Sequence, residues 1–253
     1  MNLIIEIGNT NAKLALFEKN ELREKYILPS DSAEVIRKIE TLPYDNALLA
    51  GSGAITSELW DSIREPKFRF ERSMISDLEM VYQTPHLLGE DRLVNAYYGH
   101  KLDPTCDNLV IDCGTCLTFT LIDSERRLIG GSISPGLHMR LKSMHLQTNA
   151  LPDLTDKLET IESKLIGTSR DESIVSGAIY GMLFEIEGRM KAYLSQYPKL
   201  KVILTGGDSA YIMTEMLKEN ENNEILKDFC AKNEIFADVN FTLKGFNYIL
   251  NLI

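Results

Sequence analysis

The sequence predicts an α/β fold of two similar halves, each opening on an acidic strand–turn–strand. Three observations carry that expectation. Leu3-Ile4-Ile5-Glu6-Ile7-Gly8-Asn9-Thr10-Asn11-Ala12-Lys13 is an apolar, β-branched run interrupted by one acid and a Gly-Asn-Thr turn, and alternation resumes through Leu14, Leu16 and Phe17. Leu109-Val110-Ile111-Asp112-Cys113-Gly114-Thr115-Cys116 follows the same grammar: Asp112 maps to Glu6 and Gly114 to Gly8 at one offset of 106 (112 − 6 and 114 − 8). Finally, Leu48-Leu49-Ala50-Gly51-Ser52-Gly53 and Ile203-Leu204-Thr205-Gly206-Gly207-Asp208 are apolar strands with small-residue turns, one after each hairpin. Halves built this way would set two acid/Gly hairpins face to face across a central cleft, a good place for a triphosphate and its cation.

Each element has a local cause. Residues 2–13 and 12–18 make the first hairpin, and 21–28 adds a third strand. Pro29-Ser30-Asp31 supplies a cap for a helix over 33–39. A strand over 46–50, a helix over 55–63 carrying Trp60, and strands over 67–71 and 78–82 follow. Leu93, Ala96, Tyr97 and His100 fall at helical spacing in 89–102, and Pro104 ends that helix. The second half repeats the theme with strands over 109–112, 115–123 and 126–132. Ser134-Pro135-Gly136 opens a helix to about residue 148, with Pro in its first turn. A long helix over 171–194 places Ile174, Ala178, Met182, Phe184 and Ile186 at apolar positions. A strand over 201–205, a helix over 209–217 and an apolar tail over 241–253, interrupted at Gly245, close the chain. The expected domains are 1–105 and 106–253, meeting near 103–108.

Composition narrows the class. A chain of 253 residues with 44% hydrophobic and 25% charged residues buries a sizeable core, as soluble globular proteins do. A net charge of −10 argues against nucleic acid or an anionic membrane as the main partner. No run approaches the ~20 apolar residues of a membrane span. The first residues enter a strand directly, which argues against a signal peptide. Four cysteines in a chain of this size suggest a reducing compartment, with cytoplasm as the default.

Several residues have chemistry to offer. Glu6 and Asp112 end buried strands, where a carboxylate is costly without a cation. They read as ligands of Mg2+ or another cation beside phosphates, or as solvated strand-end acids, and the matched spacing favours the first. The turns after them carry backbone N–H groups and hydroxyls suited to phosphate oxygens. In Gly89-Glu90-Asp91-Arg92, Asp91 is either a plain first-turn acid or the acceptor of a substrate hydroxyl proton. Arg92 then offers a fork for a carboxylate or phosphate. Cys113-Gly-Thr-Cys116 has C-x-x-C spacing, but its strand–turn–strand context and the absence of a second pair argue against zinc or redox work. His86, His100, His138 and His145 show no metal-ligand spacing. Lys13 either reaches a phosphate or is solvated, and Thr205-Gly206-Gly207 suits adenosine, phosphate or a plain strand–helix turn.

Taken in order, Glu6-Ile-Gly-Asn-Thr10, Tyr82 nine residues before Asp91, Gly89-Glu-Asp-Arg92, Asp112-Cys-Gly-Thr115, Gly130-Gly131-Ser-Ile-Ser-Pro135-Gly136, Gly167 with Ser173-Ile174 and Gly177, and Thr205-Gly206-Gly207 resemble the type III pantothenate kinase family. The resemblance runs from residue 3 to about 250. It implies an actin-like, RNase H-like duplicated fold of two mixed sheets flanked by helices, and a homodimer. It also implies ATP as donor, with Mg2+ and a monovalent cation, K+ or NH4+. The reaction would be phosphorylation of pantothenate, the first step of coenzyme A biosynthesis. By position, Glu6, Ile7, Gly8, Asn9, Thr10, Asn11, Ala12 and Lys13 would form the first ATP loop, with Thr115 also on ATP. Asp91 would accept the proton, and Asp112, with Glu6, would hold cations. Tyr82, Gly89, Glu90, Asp91 and Arg92 would line the pantothenate pocket. Three positions depart from the family pattern: Glu6 stands where Asp is usual, Thr120 where an acid follows the second motif, and Arg170 where a Thr meets pantothenate. In that place Arg170 would pair with the pantothenate carboxylate or block the pocket. The rival readings are a non-catalytic nucleotide-binding or regulatory protein on this scaffold, and an actin-like kinase for another small hydroxylated substrate.

Overall fold

Six consecutive buried residues make β1 (Asn2–Ile7) a strand covered on both faces. It pairs antiparallel with β2 (Asn11–Glu18), which pairs antiparallel with β3 (Glu21–Pro29). After α1 (Ser32–Thr41) the chain returns as β4 (Asn46–Ala50), parallel to β1 on its free edge. Then come α2 (Ser57–Ser62) and β5 (Lys67–Arg69), the latter parallel to β4, so the sheet runs β3-β2-β1-β4-β5. These coordinates come from a computed structural model describing residues 1–30, 32–51, 53–218, 227 and 234–253. The Asp31 cap, Ser52 in the first small-residue turn and Cys230 lie outside the described residues.

Alternation explains the layers. Leu3, Ile5, Ile7, Leu14 and Leu16 face one way and pack with Val35 and Ile39 of α1, Leu59 of α2 and Ile63 just after it. The helix α7 (Phe241–Leu250) packs on β1, β4 and α3 (Glu90–Leu102). Gly245 does not interrupt α7, contrary to expectation. A Cβ at Gly245 would come within 2.6 Å of Val94 Cγ1, so glycine is what lets α3 pack this closely. Together, Met1–Asp103, Glu125–Ile129 and Asn240–Ile253 form the first compact unit. It also holds the short β6 (Glu79–Met80), paired with Arg127 and Leu128.

The second unit comprises Pro104–Ser124 and Gly130–Val239. Here β7 (Asp107–Cys113) pairs antiparallel with β8 (Cys116–Ile122) and parallel with β10 (Leu200–Thr205). β10 pairs parallel with β11 (Ile235–Ala237), a three-residue strand the sequence did not announce. With β9 (Arg127–Pro135) beyond β8 and the short β6 on its outer edge, the order is β11-β10-β7-β8-β9-β6. Counted from its own first strand and setting the edge strand β6 aside, each sheet reads 3-2-1-4-5, the expected duplication expressed as topology. The helices here are α4 (Leu137–Leu146), α5 (Arg170–Gln196) and α6 (Ser209–Lys218). Two local expectations fail. Pro135 ends β9 rather than starting α4, whose cap is Gly136. Phe184 is 55% exposed and is no part of the core, because α5 faces solvent there.

Candidate active-site residues

The first unit gathers one group at the end of β1. Glu6 and Lys13 face each other in the ladder, and Lys13 Nζ lies 3.0 Å from Glu6 Oε2. The buried acid thus meets its cation within the hairpin. The turn closes through the Gly8 N–H donating to the Asn11 carbonyl at 3.0 Å, leaving Asn9, Thr10 and Asn11 exposed. Ser30 supports the turn: its hydroxyl donates to the Gly8 carbonyl at 2.9 Å.

The start of α3 forms a second group in the same unit. Gly89 is the cap, and the Asp91 carboxylate folds back over it, its Oδ1 accepting the Arg92 N–H at 2.8 Å. A Cβ on residue 89 would sit 2.3 Å from that oxygen. Arg92 is buried, and its guanidinium carbon stands 5.9 Å from the centre of the Tyr82 ring, a cation–π approach. The Tyr82 N–H donates to the Leu128 carbonyl at 3.2 Å. Glu90 is engaged within the protein: its carboxylate accepts from the Gly51 N–H at 2.7 Å and pairs with Arg69 at 3.0 Å. Tyr82, Gly89, Glu90, Asp91 and Arg92 are thereby brought into one neighbourhood. Sequence reasoning did not foresee Arg69, twenty-one residues from its partner.

In the second unit Asp112 sits one residue before the end of β7, in register with Thr118 of β8 and Thr205 of β10. The Gly114 N–H closes the turn onto the Cys116 carbonyl at 3.1 Å and leaves Thr115 exposed. Gly206, at φ +92°, approaches so closely that a Cβ would lie 2.4 Å from Asp112 Oδ1. The Thr205 hydroxyl is buried with no hydrogen-bond partner among the described residues. A carboxylate beside an unsatisfied hydroxyl is an all-oxygen donor pair, the type that hard cations such as Mg2+ or K+ take. Burial raises the Asp208 carboxyl above its ordinary value, while His138, 3.6 Å away, opposes the shift. Burial first, then Asp112 and Asp208, push the Cys113 thiol up. Among the described residues no group of three or more His, Cys, Asp or Glu is placed to hold a metal.

The departures from the family pattern also have places. Thr120 is buried in β8 opposite Val110, where a carboxylate would carry a large desolvation cost. Arg170, the first residue of α5, is largely exposed, and its Nε lies 3.2 Å from Asp171 Oδ1.

The fold defines the class first. A Baf family protein from Campylobacter jejuni superposes at TM-score 0.60 with 17% identity, covering 99% of this chain and 98% of that one. Component A of the (R)-2-hydroxyglutaryl-CoA dehydratase from Acidaminococcus fermentans does so at 0.52 with 13% identity, covering 99% and 96%. At such identities the likeness shows the fold alone: the duplicated, actin-like architecture of two mixed sheets flanked by helices. Sequence carries the rest. The family model for type III pantothenate kinase matches residues 45–192. The type III pantothenate kinase of Christiangramia forsetii is 36% identical, over 99% of this chain and 98% of that protein. The chain belongs to the type III pantothenate kinase family, a family of kinase enzymes and the one its motifs point to. No helix among the described residues is long and apolar enough to cross a membrane.

Proposed function

We propose that the protein phosphorylates pantothenate on its primary hydroxyl with ATP, giving 4'-phosphopantothenate and opening coenzyme A biosynthesis. The observation that carries this reading is the start of α3, where Asp91 and the buried Arg92 stand together with Tyr82 in a chain of this family. Asp91 accepts the hydroxyl proton, Arg92 and Tyr82 orient the substrate, and Gly89 and the backbone of Glu90 complete the lining. Phosphoryl transfer asks mainly for positioning and charge, which such a set supplies. Residues 6–13 form the first ATP loop, with Lys13 available to its phosphates, and Thr115 also contacts ATP. Asp112, with Thr205 beside it, would hold a cation and Glu6 would act on Mg2+; bound cations would supply positive charge against the phosphates. Arg170 pairs with the pantothenate carboxylate. The cytoplasm as compartment and the absence of nucleic-acid and membrane partners belong to the same reading. So does a homodimer, supported by the exposed Ile133, Leu146, Leu165, Ile166 and Phe184 of the second unit.

The test is direct. Purified protein with ATP, Mg2+ and K+ converts pantothenate to phosphopantothenate, more slowly when K+ is withheld. Asp91→Asn lowers kcat by about 10²–10⁴, the usual worth of a general base, without changing the thermal midpoint. Nucleotide binding with no transfer to pantothenate would end the assignment.

A further inference from the structure

Arg69 closes β5, and its guanidinium reaches the end of β4: Nη1 donates to the Leu49 carbonyl at 2.9 Å and Nη2 to the Gly51 carbonyl at 3.3 Å. The same two nitrogens fork onto the Glu90 carboxylate, Nη2 to Oε1 at 3.0 Å and Nη1 to Oε2 at 3.3 Å. Oε2 also accepts the Gly51 N–H at 2.7 Å. Gly51 in turn lies against the last residue of β1: at its φ of +122°, a Cβ would come within 2.1 Å of the Ile7 carbonyl oxygen. The Gly53 N–H donates to that carbonyl at 2.9 Å. Glu90 opens α3, one peptide bond before Asp91. A single carboxylate therefore joins the helix start that carries Asp91 to the strand end that carries Gly8.

We propose that Glu90 is a positioning residue, held by Arg69, that fixes Asp91 relative to the Gly8 loop and does not itself bind substrate through its side chain. The inference rests on the reading of Asp91 as proton acceptor. Three protein donors occupy the two Glu90 oxygens, leaving little capacity for a substrate hydroxyl. A two-pronged Arg–carboxylate pair fixes direction as well as distance, which a single contact does not. The side chains are 33% and 22% exposed, so solvent screens the pair less than it screens one on the open surface. Such precision matters here because displacing a catalytic group by about 1 Å costs on the order of 10²-fold in rate.

Two variants and two readouts test it. Glu90→Ala removes the link, and Glu90→Gln keeps its shape without the charge, which guards against a variant that fails to fold. Expected are falls in kcat of about 10²-fold and about tenfold, with KM for pantothenate within about threefold of wild type. Arg69→Ala matches Glu90→Ala, and the double variant is no slower than either, because the two act as one unit. A raised KM at unchanged kcat would make Glu90 a substrate contact and overturn the proposal. Amide exchange at Gly51 and over 89–93 needs no substrate: Glu90→Gln speeds it by about tenfold or more, and unchanged exchange overturns the proposal too. Wild-type turnover in the same assay reports separately on pantothenate as substrate, so the two failures are told apart.

Discussion

In the first hairpin Glu6 lies in ladder register with Lys13, whose ammonium stands 3.0 Å from the carboxylate. In the second, Asp112 lies in register with Thr118, and the glycine backbones of Gly114 and Gly206 crowd its oxygens. The loops differ as well. Residues 8–11 separate the pair Ile7 and Ala12, whereas only 114–116 separate Cys113 and Leu117. The duplication has thus kept the strand, the acid and the glycine while changing what meets the acid. The first hairpin offers a carboxylate already neutralised and an ammonium beside it. The second offers a carboxylate among glycine turns and beside the buried Thr205 hydroxyl. On the proposed function the first suits phosphate oxygens and the second a cation.

The largest effect that would break this contrast comes from removing the two charges in turn. Asp112→Asn is expected to lower kcat/KM for ATP by about 10²–10³, the scale of losing a group that stabilises transition-state charge. Glu6→Gln, which keeps a hydrogen-bond acceptor for Lys13, is expected to cost on the order of tenfold, near one charge-assisted hydrogen bond. Equal losses, measured as initial rates at fixed Mg2+ and K+, would show that the hairpins are functionally alike. A stability comparison sharpens the same point. Gly51→Ala and Gly206→Ala each force a side chain into positive φ, at +122° and +92°. Strained backbone of this kind costs about 1–3 kcal/mol, read as a shift in the denaturant midpoint. In Gly51→Ala the added methyl meets the Ile7 backbone, and in Gly206→Ala it meets the Asp112 carboxylate. Activity should therefore fall in both, through the Asp112 carboxylate in Gly206→Ala and through the Gly51–Glu90 contact in Gly51→Ala.

Much of this was legible because it is local. An apolar run, an acid and a glycine within about ten residues specify the hairpins. Helical spacing marked α3 and α5, and the motifs pointed to the family. What stayed hidden depends on residues far apart in the chain. The Arg69–Glu90 pair spans twenty-one positions with no pattern between them. The packing of α7 on α3 needs Gly245 to meet Val94, and no periodicity announces where an apolar tail will dock. Even the repeat was legible only to its glycine: a fixed offset of 106 maps Lys13 onto Phe119, while the shorter loop makes Thr118 the register counterpart. β11 escaped because three residues at a sheet edge carry too little alternation to read.

The smallest expected effect supplies a control for the contrast, a carboxylate whose partners are all structural. Glu172 lies in the first turn of α5, after Ser169, whose hydroxyl accepts the Glu172 N–H at 3.2 Å. Its Oε2 accepts the Thr168 hydroxyl at 2.7 Å and the Thr168 N–H at 2.8 Å, and Lys164 stands 3.2 Å from Oε1. Those two donors first, then Lys164, hold its carboxyl down to about 2 from an ordinary 4.5. A carboxyl depressed in the folded state binds fewer protons there than in the unfolded chain, so its contribution is complete above the ordinary value and fades as pH falls toward 2. Glu172→Ala should therefore lower the thermal midpoint at pH 7, and the gap to wild type should narrow from pH 5 to pH 2. Turnover with pantothenate at pH 7 should not change. A gap that persists at pH 2 would mean the carboxylate acts through packing rather than charge, and a loss of turnover would place it among the groups that meet the substrate.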